Sequence, residues 1–132
     1  MPIQDRSGCP IASALELLGD RWTLVVLRDL LTGKRTYKEF LESPEAISTN
    51  ILADRLRRLD EWGLVERRLY REKPERLAYE LTQKGADLLP TLQALCRWGN
   101  RYIEDTWRPP TYFMRDSPSE LLQRLVRQKR VS

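Results

Sequence analysis

The chain changes its hydrophobic period once, and that change restricts the fold more than any other feature. Up to Gly63, apolar residues recur at the three-to-four spacing of helices; beyond it, Leu77, Tyr79 and Leu81 alternate with Ala78 and Glu80, the spacing of a strand with one buried face. Val65 to Tyr70 is β-branched and aromatic enough to be its partner strand, and Arg71-Glu72-Lys73-Pro74-Glu75-Arg76 is then the tip of a hairpin. Several helices followed by one hairpin describe a mainly α fold with a small β element.

The helices carry their own boundary signals. Gly19, Gly33 and Gly63 each follow an apolar-periodic stretch and suit the left-handed residue that ends a helix. The spacing predicts a first helix over Pro10 to Leu18 and a second opening after Asp20. The second is apolar on nearly every side through Trp22, Leu24 to Leu27, Leu30 and Leu31, so it is central and buried. Thr36 and Glu39 form a capping box that opens a short helix to about Glu42, which Ser43-Pro44 breaks. Ser48 caps a fourth helix, roughly Thr49 to Trp62, with Leu52, Leu56 and Leu59 in one stripe. Thr82 caps a long helix to about Thr106 that Pro90 kinks, and Ser117 to Glu120 is a second capping box opening a last amphipathic helix.

Composition removes whole classes of function. A chain of 132 residues has room for one core, and its longest aliphatic run, Leu24 to Leu27, is far too short to span a membrane. With no histidine there is no Ser-His or Cys-His pair, no imidazole-ligated metal and no ordinary general base. We therefore expect no catalytic residue, no metal and no cofactor, and hence no enzyme. Cys9 and Cys96 lie too far apart for a CxxC site, and no apolar signal segment follows Met1-Pro2, which predicts a cytoplasmic protein. The net charge of +4 resides in the tail: Arg108, Arg115, Arg124, Arg127, Lys129 and Arg130 there face only Asp116 and Glu120. This divides the chain into a charge-balanced domain over 1–107 and a basic extension over 108–132.

Three helices and then a charged hairpin is the order of a winged helix-turn-helix, in which the last of the three helices enters the DNA major groove. At helical spacing Asn50, Ala53, Asp54 and Arg57 point away from the leucine stripe, where they can meet base edges. Asparagine suits adenine, arginine suits guanine, and a small alanine lets the helix approach or touches a thymine methyl. Ser48 and Thr49, at the helix N-terminus, suit phosphate. Lys34, Arg35 and Thr36 before the short helix, and Arg71, Lys73 and Arg76 on the hairpin, are positioned for the sugar-phosphate backbone. The rival reading is a winged helix that serves only as a protein-interaction module.

Taken together, the residues resemble the HxlR-type winged-helix transcriptional regulators. The matching pieces are Cys9-Pro10-Ile11, Leu17 to Leu24, Ile47-Ser48 before Ile51-Leu52, Arg55 to Leu59, Gly63 to Arg67, Tyr79 to Thr82 with Gly85, and Trp98-Gly99. The resemblance spans roughly residues 8 to 103. It implies a homodimer on a roughly palindromic stretch of double-stranded DNA, with the first and last helices of the domain at the dimer contact. Ile11, Leu15, Leu95, Trp98, Tyr102 and Ile103 are the residues this assigns to that contact. Independently, the Trp98 to Trp107 region holds more apolar surface than one small core needs. The wing departs from the family, which carries two adjacent prolines where this chain has Pro74-Glu75. No small-molecule effector is readable.

Cys9 matches the cysteine that some relatives use to sense oxidants or electrophiles. A thiol at a helix N-terminus, with Arg6 nearby, favours the reactive thiolate. The competing reading is a small side chain packed at the dimer seam, and Cys96 reads as core.

Overall fold

A computed structural model describes residues 7–72 and 74–131. Helix α1 is Pro10–Leu18, with Cys9 as N-cap and proline in the opening turn, where its missing N–H costs nothing. Asp20 then accepts from the amides of Trp22 and Thr23 at 2.9 and 3.2 Å and from the Thr23 hydroxyl. These bonds hold Arg21 and Trp22 in a turn, so α2, Thr23–Leu31, starts two residues further on than a simple Asp20 cap would put it. The Thr36/Glu39 capping box is formed and opens α3, Tyr37–Leu41, and Ser48 accepts from the Ile51 amide at 3.2 Å to open α4, Thr49–Glu61. Gly33 and Gly63, with φ of +105° and +78°, end α2 and α4 in a region that L side chains avoid.

Leu27, Leu31, Phe40, Leu52, Leu56 and Leu59 are buried together where α2, α3 and α4 meet. Each contributes about 1.5–3 kcal/mol relative to an exposed position. Arg55 reaches back to Asp20 at 2.7 Å and locks α4 to the start of α2. Burial opposes the charge on Asp20, but the Thr23 hydroxyl, Arg55 and the Trp22 amide outweigh it and hold the carboxyl far below its usual range.

The strands β1, Val65–Glu72, and β2, Glu75–Leu81, form one antiparallel ribbon. They run further than the sequence suggested: Arg71 pairs with Arg76 and Glu72 with Glu75 after an irregularity between Leu69 and Arg71. Four of the six residues expected at the tip are therefore strand, because charged side chains on a solvated ribbon do not oppose backbone pairing. Lys73 lies outside the described residues, as does Arg6. The ribbon is fastened to the helices by a Thr36–Ala78 bridge and by the Tyr79 amide donating to the Arg35 carbonyl at 2.8 Å. The result is a winged helix-turn-helix.

The long helix expected from Thr82 to Thr106 is two helices, α5, Gln83–Ala86, and α6, Leu89–Tyr102. Pro90 has no amide to give to the Ala86 carbonyl, so the chain turns at Asp87-Leu88 and restarts with proline in the new first turn. Gly85 is required by close approach: a Cβ there would sit 2.2 Å from the Leu64 carbonyl oxygen.

The basic extension packs on the body through two helices. A short helix that the sequence did not signal, α7, Thr111–Arg115, buries Phe113, and α8, Pro118–Val131, buries Leu121 against α5. Gln93 donates to the carbonyls of Phe113 and Asp116 at 2.9 and 3.0 Å, and Asp116 holds Arg124 at 2.8 Å. Among the described residues no helix is long and apolar enough to cross a membrane.

Candidate nucleic-acid interface

Helix α4 buries Leu52, Leu56 and Leu59 and turns Asn50, Ala53 and Arg57 to solvent. Packing of the leucine stripe against α2 and α3 dictates this orientation, since side chains half a turn away have nothing to lie against. Ser48 and Thr49 are exposed at the helix N-terminus, where unpaired amides and the helix dipole favour an anion. The face presented is thus short polar groups at one end and a long cation about two turns on.

Arg57 is not idle. Its guanidinium is clasped by Asp54 at 2.6 Å and Glu61 at 2.9 Å, one turn to either side. Asp54, half-buried, also binds Arg55 and lies 3.9 Å from Arg58. The Arg57 hydrogen bond is the largest influence on the Asp54 carboxyl and, with Arg55, keeps it below the ordinary carboxylate range. The i,i+3 and i,i+4 spacing of this clasp was readable in the sequence. Exposed helix pairs of this kind are weak in water, so a stronger acceptor can displace the acids.

The remaining cations divide into two groups. Lys34 is half-buried and donates to Ser43 at 2.7 Å, Ser43 in turn binding the buried Asp29. Arg35 pairs with Glu80 at 3.2 Å, and Thr36 is occupied as the cap of α3. These three residues are held by partners inside the chain. On the ribbon, Arg76 is exposed and donates to the neighbouring Glu75 carbonyl at 3.0 Å, and Arg71 lies opposite it in register. Sequence reasoning passed over Arg68 and Tyr70, both exposed on β1, Arg68 meeting Glu80 at 2.8 Å. Their alternation with Arg67 and Leu69 was the available signal.

A second surface is apolar. Ile11 and Leu15 on α1, Leu95, Trp98 and Tyr102 on α6, and Ile103 and Trp107 beyond it are all more than half exposed. Trp98 and Tyr102 lie against each other with ring centroids 5.4 Å apart. Cys9, at the mouth of α1, is exposed and unpaired in any disulfide, whereas Cys96 is half-buried and its thiol is pushed up by that burial. The Trp98–Tyr102 pair is exposed apolar surface of the kind that a partner covers.

Comparison with known proteins agrees with this geometry. The model of HxlR-like helix-turn-helix proteins matches residues 17–107. An uncharacterised HTH-type transcriptional regulator of Synechocystis, sll1512, is 36% identical over 96 residues, covering 73% of this chain and 71% of that one. The HTH-type transcriptional regulator YodB of Bacillus subtilis is 36% identical over 97 residues, covering 73% and 87%. The chain covers 65% of the length of a Mycobacterium tuberculosis relative. Among solved structures, the reduced form of YodB superposes with a TM-score of 0.62 at 34% identity, over 76% of this chain and all of that one. The redox regulator HypR in its oxidised form gives 0.66 at 28% identity, over 73% and 99%.

Proposed function

Since this chain belongs to the HxlR-like helix-turn-helix family of transcriptional regulators, we propose that it binds duplex DNA sequence-specifically, as a homodimer on a roughly palindromic operator. The observation that carries this reading is the unpacked face of α4, bearing Asn50, Ala53 and Arg57, beside a charge-balanced ribbon that exposes Arg67, Arg68 and Arg76. In the complex α4 lies in the major groove. Asn50 reads adenine, Arg57 leaves Asp54 and Glu61 for the O6/N7 edge of guanine, and Ala53 lets the helix approach. Asp54 takes a secondary role at the base edges while it orients Arg57.

Phosphate contacts come from Ser48 and Thr49 at the helix start and from Arg71, Lys73 and Arg76 on the wing. Lys34, Arg35 and Thr36 join them only if they exchange their present partners. The apolar strip pairs two copies, which sets two recognition helices about 34 Å apart or at a multiple of that spacing, one half-site each.

Salt is the discriminating variable. With three wing cations from each of two subunits meeting phosphate, log K should fall against log salt with a slope of about −5. Titration of a duplex carrying the selected operator at several salt concentrations measures it. A slope near zero, or no binding at low salt, would favour a protein-interaction module instead.

Cys9 senses oxidants or electrophiles in this account. Its exposure at the N-cap of α1, two residues from Ile11 in the apolar strip, supports the reading, and so does the similarity to YodB and HypR. Modification there alters the dimer contact and hence the separation of the two recognition helices. Diamide should lower operator affinity of the native protein and leave Cys9→Ser unaffected; equal loss in both would remove Cys9 from the mechanism.

A further inference from the structure

Helix α8 lies beside the base of the wing and leaves a cleft of about 360 Å³ between them, lined by Leu30, Leu81, Leu122, Leu125 and Val126 on its apolar side. That volume is at the small end of the roughly 300–1,000 Å³ found for small-molecule sites. Its polar edge is cationic in balance. A single carboxylate, Glu80, is shared by Arg35, Arg68 and Lys129, while the other acid, Glu39, is consumed by the capping box and the Arg35 amide. The Arg35 guanidinium is only half used: Glu80 meets its terminal nitrogen at 3.2 Å, and its buried Nε–H has no acceptor among the described residues. An arginine edge with one donor taken and the adjacent one orphaned is shaped for a carboxylate bound through both oxygens. Val126 remains nearly half exposed at the mouth, apolar surface that an occupant would cover.

We propose that this cleft binds a small amphipathic carboxylate, its aliphatic or aromatic body on the α8 leucines and its carboxylate on the Nε edge of Arg35 in place of Glu80. The site draws on the tail beyond the family match, and it shares Lys34 and Arg35 with the conditional phosphate contacts named above. Occupancy is felt at the ribbon, because the Arg35 carbonyl accepts from Tyr79 and Lys129 gives up its share of Glu80.

The test is a titration of the full chain, labelled with ¹⁵N and with ¹³C in Leu and Val methyls, with sodium octanoate and separately with octan-1-ol, followed by NMR. Octanoate should shift the Leu122, Leu125 and Val126 methyls, the Arg35 Nε–H and the Tyr79 amide saturably, with Kd on the order of 1 mM. Octanol, lacking the charge, should bind about tenfold more weakly. Arg35→Gln should abolish the difference between the two probes. Val126→Trp, at a position open enough to accept the ring, should block both. No saturable shift at these groups, equal affinity for the two probes in the native chain, or shifts confined to the Trp98 strip would each overturn the proposal. Because no DNA is present, failure here says nothing against operator binding, and failure of operator binding leaves this result standing.

Discussion

Replacing Trp98 with glutamate should leave the subunit folded and cost about a thousandfold in operator affinity. The indole is 58% exposed and lies outside the buried core, so its loss removes little that holds one subunit together. It lies instead against Tyr102 on the exposed side of α6, with Leu95 and Ile103 also exposed on that segment, where a second copy would bury it. Large aromatics at the centre of such a patch carry most of the binding energy, and an unpaired carboxylate put there must be desolvated without a partner. The two half-sites would then be bound by independent subunits, and the affinity gained by linking them, typically 10²–10⁴-fold, would disappear. Sedimentation of Trp98→Glu should show a monomer with native helical circular dichroism. A variant that remained dimeric and bound operator as tightly as the native protein would remove α6 from the dimer contact.

The parts of the fold visible in the sequence are those fixed by neighbours in the chain. The two capping boxes, the leucine stripe of α4 and the glycines that end α2 and α4 all act within a turn or two, and each boundary they marked is within two residues of the structure. What escaped depends on distant partners. Asp20 finds Arg55 and so shapes the start of α2, and Lys34 and Arg35 are turned inward by Ser43 and Glu80, which a local pattern cannot reveal. The helix through Pro90 was overextended because periodicity survives across the break: the apolar positions of α5 and α6 continue the same stripe although the hydrogen bonds do not. The packing of the tail escaped for the same reason. Arg108, Arg115 and Arg127 face out, and only the fold supplies the surface that receives Phe113 and Leu121.

The candidate interface followed the same division. The outward face of α4 was legible because helical spacing alone separates Asn50 and Arg57 from Leu52 and Leu56. The clasp of Asp54 and Glu61 on Arg57 adds a physical consequence. Because exposed pairs on one helix are weak, Arg57 can exchange Asp54 and Glu61 for a better acceptor. Phosphates offer competition from one side and guanine from the other, but only guanine presents two acceptors in the plane of the guanidinium. Arg57 should therefore discriminate between bases more than it contributes to general affinity.

That distinction is the most direct test of the central claim, that α4 turns its polar face into the major groove. Base preferences would be measured by selecting duplexes from a randomised pool with the native protein, with Arg57→Ala and with Arg76→Ala. The account predicts that Arg57→Ala loses a guanine preference at one symmetric position of each half-site, with about a ten- to hundredfold loss on the native operator, while Arg76→Ala weakens every duplex alike and keeps the native pattern. An unchanged base pattern in Arg57→Ala, with affinity equal to that of the native protein, would contradict it.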